Sequence, residues 1–134
     1  MKKDHILDSI HDQLHARNHS RWVEPDRSEA SELSLVEAAF YTVFVFRLNI
    51  YGEGYRGWLG NTEYGSVNFL PVALSAVGAH EWSRLARLAG YASASDSKPD
   101  SGFFDLTTRL EDYLWDFYER HKAELPTPVE FSRD

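Results

Sequence analysis

The carboxylates in the last third of the chain form its most pointed chemical pattern. From Tyr91 onward ten acidic residues (Asp96, Asp100, Asp105, Glu111, Asp112, Asp116, Glu119, Glu124, Glu130 and Asp134) face five basic ones (Lys98, Arg109, Arg120, Lys122 and Arg133). Asp112, Asp116 and Glu119 stand at i, i+4 and i+7. On a helix that spacing puts them on one face, with Cβ atoms roughly 5–6 Å apart. Asp105 extends the stripe towards the helix start, where a carboxylate complements the helix dipole. Like charges so spaced cost a helix some stability. A stripe kept despite that cost suits a basic partner. The plainer account is a solvated face, partly neutralised by Arg109 and Arg120.

A second constellation lies at Gly52–Asn61. Glu53, Tyr55, Trp58 and Asn61, with Glu63 close behind, set carboxylate and amide groups beside aromatic rings. Such a set can hold a sugar or base, or raise the pKa of a general acid. This loop is the candidate ligand pocket. Its Gly52-x-Gly54-x-x-Gly57 spacing matches a dinucleotide fingerprint, but that motif needs a strand before it and a long helix behind it. Here a helix is expected before it and only one helical turn after it, so the glycines are read as allowing a tight reversal and close aromatic packing.

His11, His15 and His19 are four apart, with Asp8 and Asp12 alongside. Two histidines at i and i+4 can ligate zinc, nickel or copper. No His-Glu-x-x-His motif is present and no second helix offers a ligand, so no metal and no cofactor is assigned. His80 and His121 are isolated, and no serine sits in a nucleophile elbow. With no catalytic set, a non-enzymatic protein is expected.

Composition narrows the classes further. The chain has 134 residues, enough for one domain, and its 43% hydrophobic content can build a core. It has no cysteine, which excludes disulfides, iron–sulfur clusters and cysteine nucleophiles. A net charge of −7 argues against direct binding of nucleic acid. The longest apolar run, Ala38 to Phe46 broken only by Thr42, is far short of the ~20 residues of a membrane span. After Lys2 and Lys3, Asp8, His11 and Asp12 interrupt any signal-peptide core. A cytoplasmic protein is expected.

The elements that must position these groups read as helices. Ile6, Ile10 and Leu14, widened by Leu7, predict an amphipathic helix over 4–18. Residues 19–31 read as a linker. Ser34-Leu35-Val36-Glu37 matches a capping box and opens a helix over about 34–51 that is apolar nearly all round, the mark of a domain centre. Tyr41–Phe46 also has strand-like composition, but the cap and the length favour helix. The Gly52–Gly57 segment breaks this helix, with a short aromatic turn at Tyr55–Leu59 and loop at Gly60-Asn61 and Tyr64-Gly65. A helix from about Asn68 with Pro71 in its first turn, capped by Gly78, is followed by one over 79–89 ending at Gly90. Residues 91–102 read as polar loop. Leu106, Leu110, Tyr113, Leu114 and Phe117 predict a last helix from Asp105 to Leu125, stopped by Pro126 and Pro128. The expected architecture is all-α, a single compact domain of five or six helices around the 34–51 helix. It divides into an N-terminal helix and linker (1–31), a helical core (32–125) and a tail (126–134).

The middle of the chain, roughly 33–125, resembles a bacterial domain family typified by an acidic DNA-mimic protein and otherwise of unknown function. Asn49-Ile50-Tyr51-Gly52-Glu53-Gly54-Tyr55 sits where that family carries Glu-Val-Asn-Asn-Gly-Gly-Phe, and Trp58-Leu59 and Asn61 follow at the family distance. Ala73-Leu74-Ser75-Ala76-Val77-Gly78-Ala79 is similar to its Ala-Leu…Ile-Gly-Ala stretch. Phe104-Asp105-Leu106 and Tyr118-Glu119-Arg120-His121 resemble its last helix. Asn49 replaces the family glutamate, Glu53 replaces the first glycine of the pair, and Phe104-Asp105-Leu106 is one residue shorter than the family spacing. The resemblance implies an all-helical fold and no known enzyme activity. For the typifying member it implies binding to a helix-turn-helix regulator through carboxylates that imitate DNA phosphates.

The leading expectation is therefore a non-catalytic protein–protein interaction module, in one form an acidic mimic of DNA that binds a basic transcription regulator through Asp105, Asp112, Asp116 and Glu119. The alternative is a small-molecule-binding protein or enzyme using Glu53, Tyr55, Trp58 and Asn61. Four tryptophans and eight phenylalanines in so short a chain also give it apolar surface to share in a homodimer.

Overall fold

The computed structural model describes residues 2–17, 33–61, 64–90, 102–103 and 105–129, excepting the side chains of 61 and 64–66. Among the described residues there are five α-helices and no strand: α1 (Lys3–Arg17), α2 (Leu35–Asn61), α3 (Tyr64–Ala76), α4 (His80–Ala89) and α5 (Leu110–Arg120), then a 3₁₀ turn at Lys122–Glu124. The linker over 19–31 and most of the polar loop over 91–102 lie outside the described residues.

α2 is the centre, as its uniform apolarity implied. It packs against α1, α3 and α5, while α4 packs on α3 and α1 also touches α5. Its start is the expected capping box: the Glu37 N–H donates to Ser34 Oγ (3.1 Å) and the Ser34 N–H to Glu37 Oε1 (3.0 Å). The run Tyr41–Phe46 is helical throughout, because burial on several sides at once supplies the packing that β-branched residues otherwise seek in a sheet.

The Gly52–Gly57 segment does not form a loop. The helix is interrupted at one residue, Gly54 (φ 74°, ψ −174°), and resumes to Asn61. Only glycine takes that conformation without strain. Gly57 is needed for a different reason: a Cβ there would collide with the Glu53 side chain.

α3 likewise begins at Tyr64 rather than Asn68, which takes in Tyr64-Gly65 and leaves Pro71 inside the helix. A proline there forfeits one helical hydrogen bond. The turn is anchored from outside, since the buried Ser83 Oγ of α4 donates to the Pro71 carbonyl (2.6 Å). α3 ends in paired reversed bonds, Ala79 N–H to Leu74 O (2.9 Å) and Gly78 N–H to Ser75 O (3.0 Å), which satisfy its last carbonyls. Leu88 of α4 is exposed.

The last helix is shorter at both ends than the Asp105–Leu125 expected. Asp105 lies in a turn, and Arg109 is extended (φ −106°, ψ 133°). Two β-branched residues, Thr107 and Thr108, precede it, and Thr108 Oγ1 is held from the side by the Trp82 indole N–H (3.1 Å). The helix then closes at His121, whose N–H is shared between the Phe117 and Tyr118 carbonyls.

One core unites these elements. Leu7, Ile10 and Leu14 of α1 join Phe40, Phe46, Leu70, Leu74, Trp82, Phe103, Leu114 and Phe117. The N-terminal helix is thus built into the helical core. The segment after α5 is tied to it as well, by Gln13 donating to the Thr127 carbonyl (2.9 Å) and Val129 N–H donating to Ser9 Oγ (2.8 Å).

Candidate functional site

α5 is held by its inner face and free on its outer one. Leu110, Leu114, Phe117 and Tyr118 are buried. Asp112, Asp116 and Glu119 are exposed, so the i, i+4, i+7 carboxylates do share an outward stripe. Asp105 is exposed too, but stands before the helix and does not continue the stripe along it. Among the described residues, the Asp105, Asp112 and Asp116 side chains have no ion-pair partner; Glu119 pairs with Lys122 (2.9 Å), itself exposed.

Glu111, one residue from this stripe, faces the other way. Its Oε2 accepts from Arg47 Nε of α2 (2.7 Å) and its Oε1 from Arg109 Nε. Burial pushes this carboxyl up, but the hydrogen bonds from Arg47, its own backbone and Arg109 outweigh burial and hold it below the ordinary glutamate value. Above it, Tyr51 Oη accepts the Leu110 N–H (3.4 Å). Arg47, Tyr51, Leu106, Thr107, Thr108, Arg109 and Glu111 line a cavity of about 240 Å³.

This second cluster escaped the sequence reading, since its parts are up to 64 positions apart. One signal was present. Between Leu35 and Tyr51 the chain carries only two charges, Glu37 and Arg47. A charge in a helix buried all round must find a partner. Both do: Arg47 takes Glu111, and Glu37 accepts from Arg17 Nη1 and Nη2 (2.6 and 3.2 Å) while still closing the capping box.

The expected aromatic pocket is overturned in its rings. Tyr55 and Trp58 are 2% and 0% exposed and belong to the core. The Gly54 kink turns them inward onto Phe46, which meets Trp58 edge-on (centroids 5.4 Å) and also contacts Tyr55, Trp82 and Phe103. Phe103 stacks between Tyr55 and Trp82 (5.5 and 5.6 Å), and the Tyr55 hydroxyl donates to the Gly90 carbonyl (2.6 Å). Glu53 is exposed; the side chain of Asn61, and Glu63, lie outside the described residues.

His11 and His15 share a face as expected; it lies against α2, with His11 half-buried there and His15 exposed. His11 stacks on Phe44 (4.4 Å) and Tyr41 (5.4 Å), and His15 Nδ1 is 2.7 Å from the Tyr41 hydroxyl. Burial lowers the His11 pKa against the pull of Asp12, which makes the ring a packed neutral group. His19 lies outside the described residues. Among those described, no three histidine or carboxylate groups gather as a metal site, and no helix is long and apolar enough to cross a membrane.

Comparison of the chain with family models, with curated proteins and with solved structures finds no match.

Proposed function

We propose that the protein is a non-catalytic interaction module whose outer α5 face receives a basic protein surface. One observation carries the reading: Asp112, Asp116 and Glu119 are presented together on the solvent side of a helix whose other side is fixed in the core. Fixed charges lose little freedom on binding, and a carboxylate row on a chain of net charge −7 draws in a cationic partner at long range. The basic partner that fits the motif resemblance is a helix-turn-helix DNA-binding regulator, with the carboxylates standing where DNA phosphates would. Asp105 adds a negative charge before the N-terminal end of the row.

The test is affinity capture from lysate of the source cell at low and high salt, with wild type beside Asp112→Lys/Asp116→Lys/Glu119→Lys. A DNA-binding protein recovered by wild type alone, and released by salt, is expected. The same proteins on both baits, or no DNA-binding protein on either, would overturn the reading. Burial of Tyr55 and Trp58 removes the ring surface on which the Gly52–Asn61 ligand reading depended.

A further inference from the structure

We infer that the cavity between α2 and the segment leading into α5 binds a small oxyanion, a phosphate or carboxylate group. The lining contains two arginines and one glutamate, a net positive patch on an acidic protein. Glu111 is the one carboxylate in the lining, and each of its oxygens already accepts from an arginine Nε. The Nη groups of Arg47 and Arg109 make no hydrogen bond among the described residues.

The neighbouring groups are donors as well. Tyr51 Oη accepts the Leu110 N–H, which leaves its own O–H to give. Thr108 Oγ1 accepts from Trp82 and keeps its proton to donate, and the Thr107 hydroxyl has no partner among the described residues. A lining with many donors free, and its one carboxylate engaged by both arginines, suits a ligand that accepts. Guanidinium edges match the oxygens of phosphate and carboxylate.

At about 240 Å³ the cavity is smaller than a drug-sized ligand site. That limits the ligand to a small anion, or to the charged end of a larger molecule. The exposed Asp105 and Asp112 lie outside the lining and would repel a highly charged species. The lining residues are distinct from the carboxylates of the proposed α5 interface, although Asp112 acts electrostatically on Arg109.

The experiment is a ¹H–¹⁵N titration of the full chain with sodium phosphate and, separately, sodium succinate, against sodium chloride at equal ionic strength. Saturable shifts are expected at the amides of Thr107–Glu111 and at the Arg47 Nε–H with one or both anions, and none with chloride. Saturation by phosphate alone assigns a phosphate-bearing ligand; saturation by succinate alone assigns a carboxylate. Arg109→Gln, at an exposed position that leaves the Arg47–Glu111 pair in place, should weaken the affinity by about tenfold or more. Thr107→Val should weaken it by a smaller factor. Shifts that rise linearly with both anions, or an affinity unchanged in Arg109→Gln, would overturn the site.

Discussion

Glu111 and Asp112 are neighbours on one helix and carry the same charge, yet the fold uses them in opposite ways. Glu111 turns into the groove against α2 and is paired with Arg47 and Arg109. Asp112 turns outward with Asp116 and Glu119. A carboxylate already paired inside the fold contributes to stability and has little left to offer a ligand. A carboxylate fixed in solvent contributes little to stability and keeps its charge for a partner. Acidic residues counted along the sequence therefore overstate the outward carboxylate face, and the helix phase decides which of them belong to it.

The largest expected effect breaks the inner edge. Glu111→Ala strands Arg47, so unfolding by urea should show a loss of about 2–3 kcal/mol, below the figure for a fully buried pair because some water reaches both groups. A loss no greater than that of Asp112→Ala would erase the distinction between the two edges.

Next is the kink that turns the aromatic rings inward and keeps them off the surface. Gly54→Ala should cost about 1–3 kcal/mol, since the alanine must adopt φ near +74°. An unchanged melting temperature would mean that the chain passes this point in another way.

Acid sharpens the same comparison. The Glu111 pKa is lowered in the fold, so its contribution is fully present above its unfolded value, about 4.3, and disappears as pH falls through the folded value. Glu111→Gln should flatten that part of the stability curve. The lowered His11 pKa adds an earlier loss. Its neutral form is favoured in the fold, so stability declines as pH drops below the unfolded value of about 6.5 towards the folded one, and His11→Phe should remove that portion. An identical pH profile in both variants would contradict these assignments.

The smallest expected effect on stability belongs to the outer face. Asp112→Lys/Asp116→Lys/Glu119→Lys should change unfolding free energy by no more than about 1 kcal/mol, because the sites are exposed and the Glu119–Lys122 pair it breaks is a surface one.

Much of this architecture was legible in the residues. The Ser34–Glu37 box, the Ile6/Ile10/Leu14 stripe and the uniform apolarity of α2 are local signals, and local hydrogen bonds and periodicity carry them into the fold. The outward stripe of α5 was legible for the same reason. The errors came where one residue's environment was set by distant ones. Gly52–Gly57 suggested a loop, but a single glycine kink lets the helix resume. Tyr55 and Trp58 suggested a pocket, but Phe46 and Phe103, at 9 and 48 positions from Tyr55, close around it. Asp105 was assigned to a helix that begins at Leu110, after the side-chain hold on Thr108 by Trp82. The Arg47–Glu111–Arg109 cluster required knowing which helices touch, although the lone Arg47 in an apolar helix already demanded a partner.

The proposed function places the outer carboxylates of α5 on the DNA-contacting surface of a basic regulator. Its most direct test is competition: the captured regulator is held on its own duplex DNA, and wild type or the triple Lys variant is titrated in at low salt. Wild type is expected to displace the DNA, and the variant to leave it bound while remaining folded. Equal displacement by both proteins, or regulator that binds wild type and DNA together, would contradict the account.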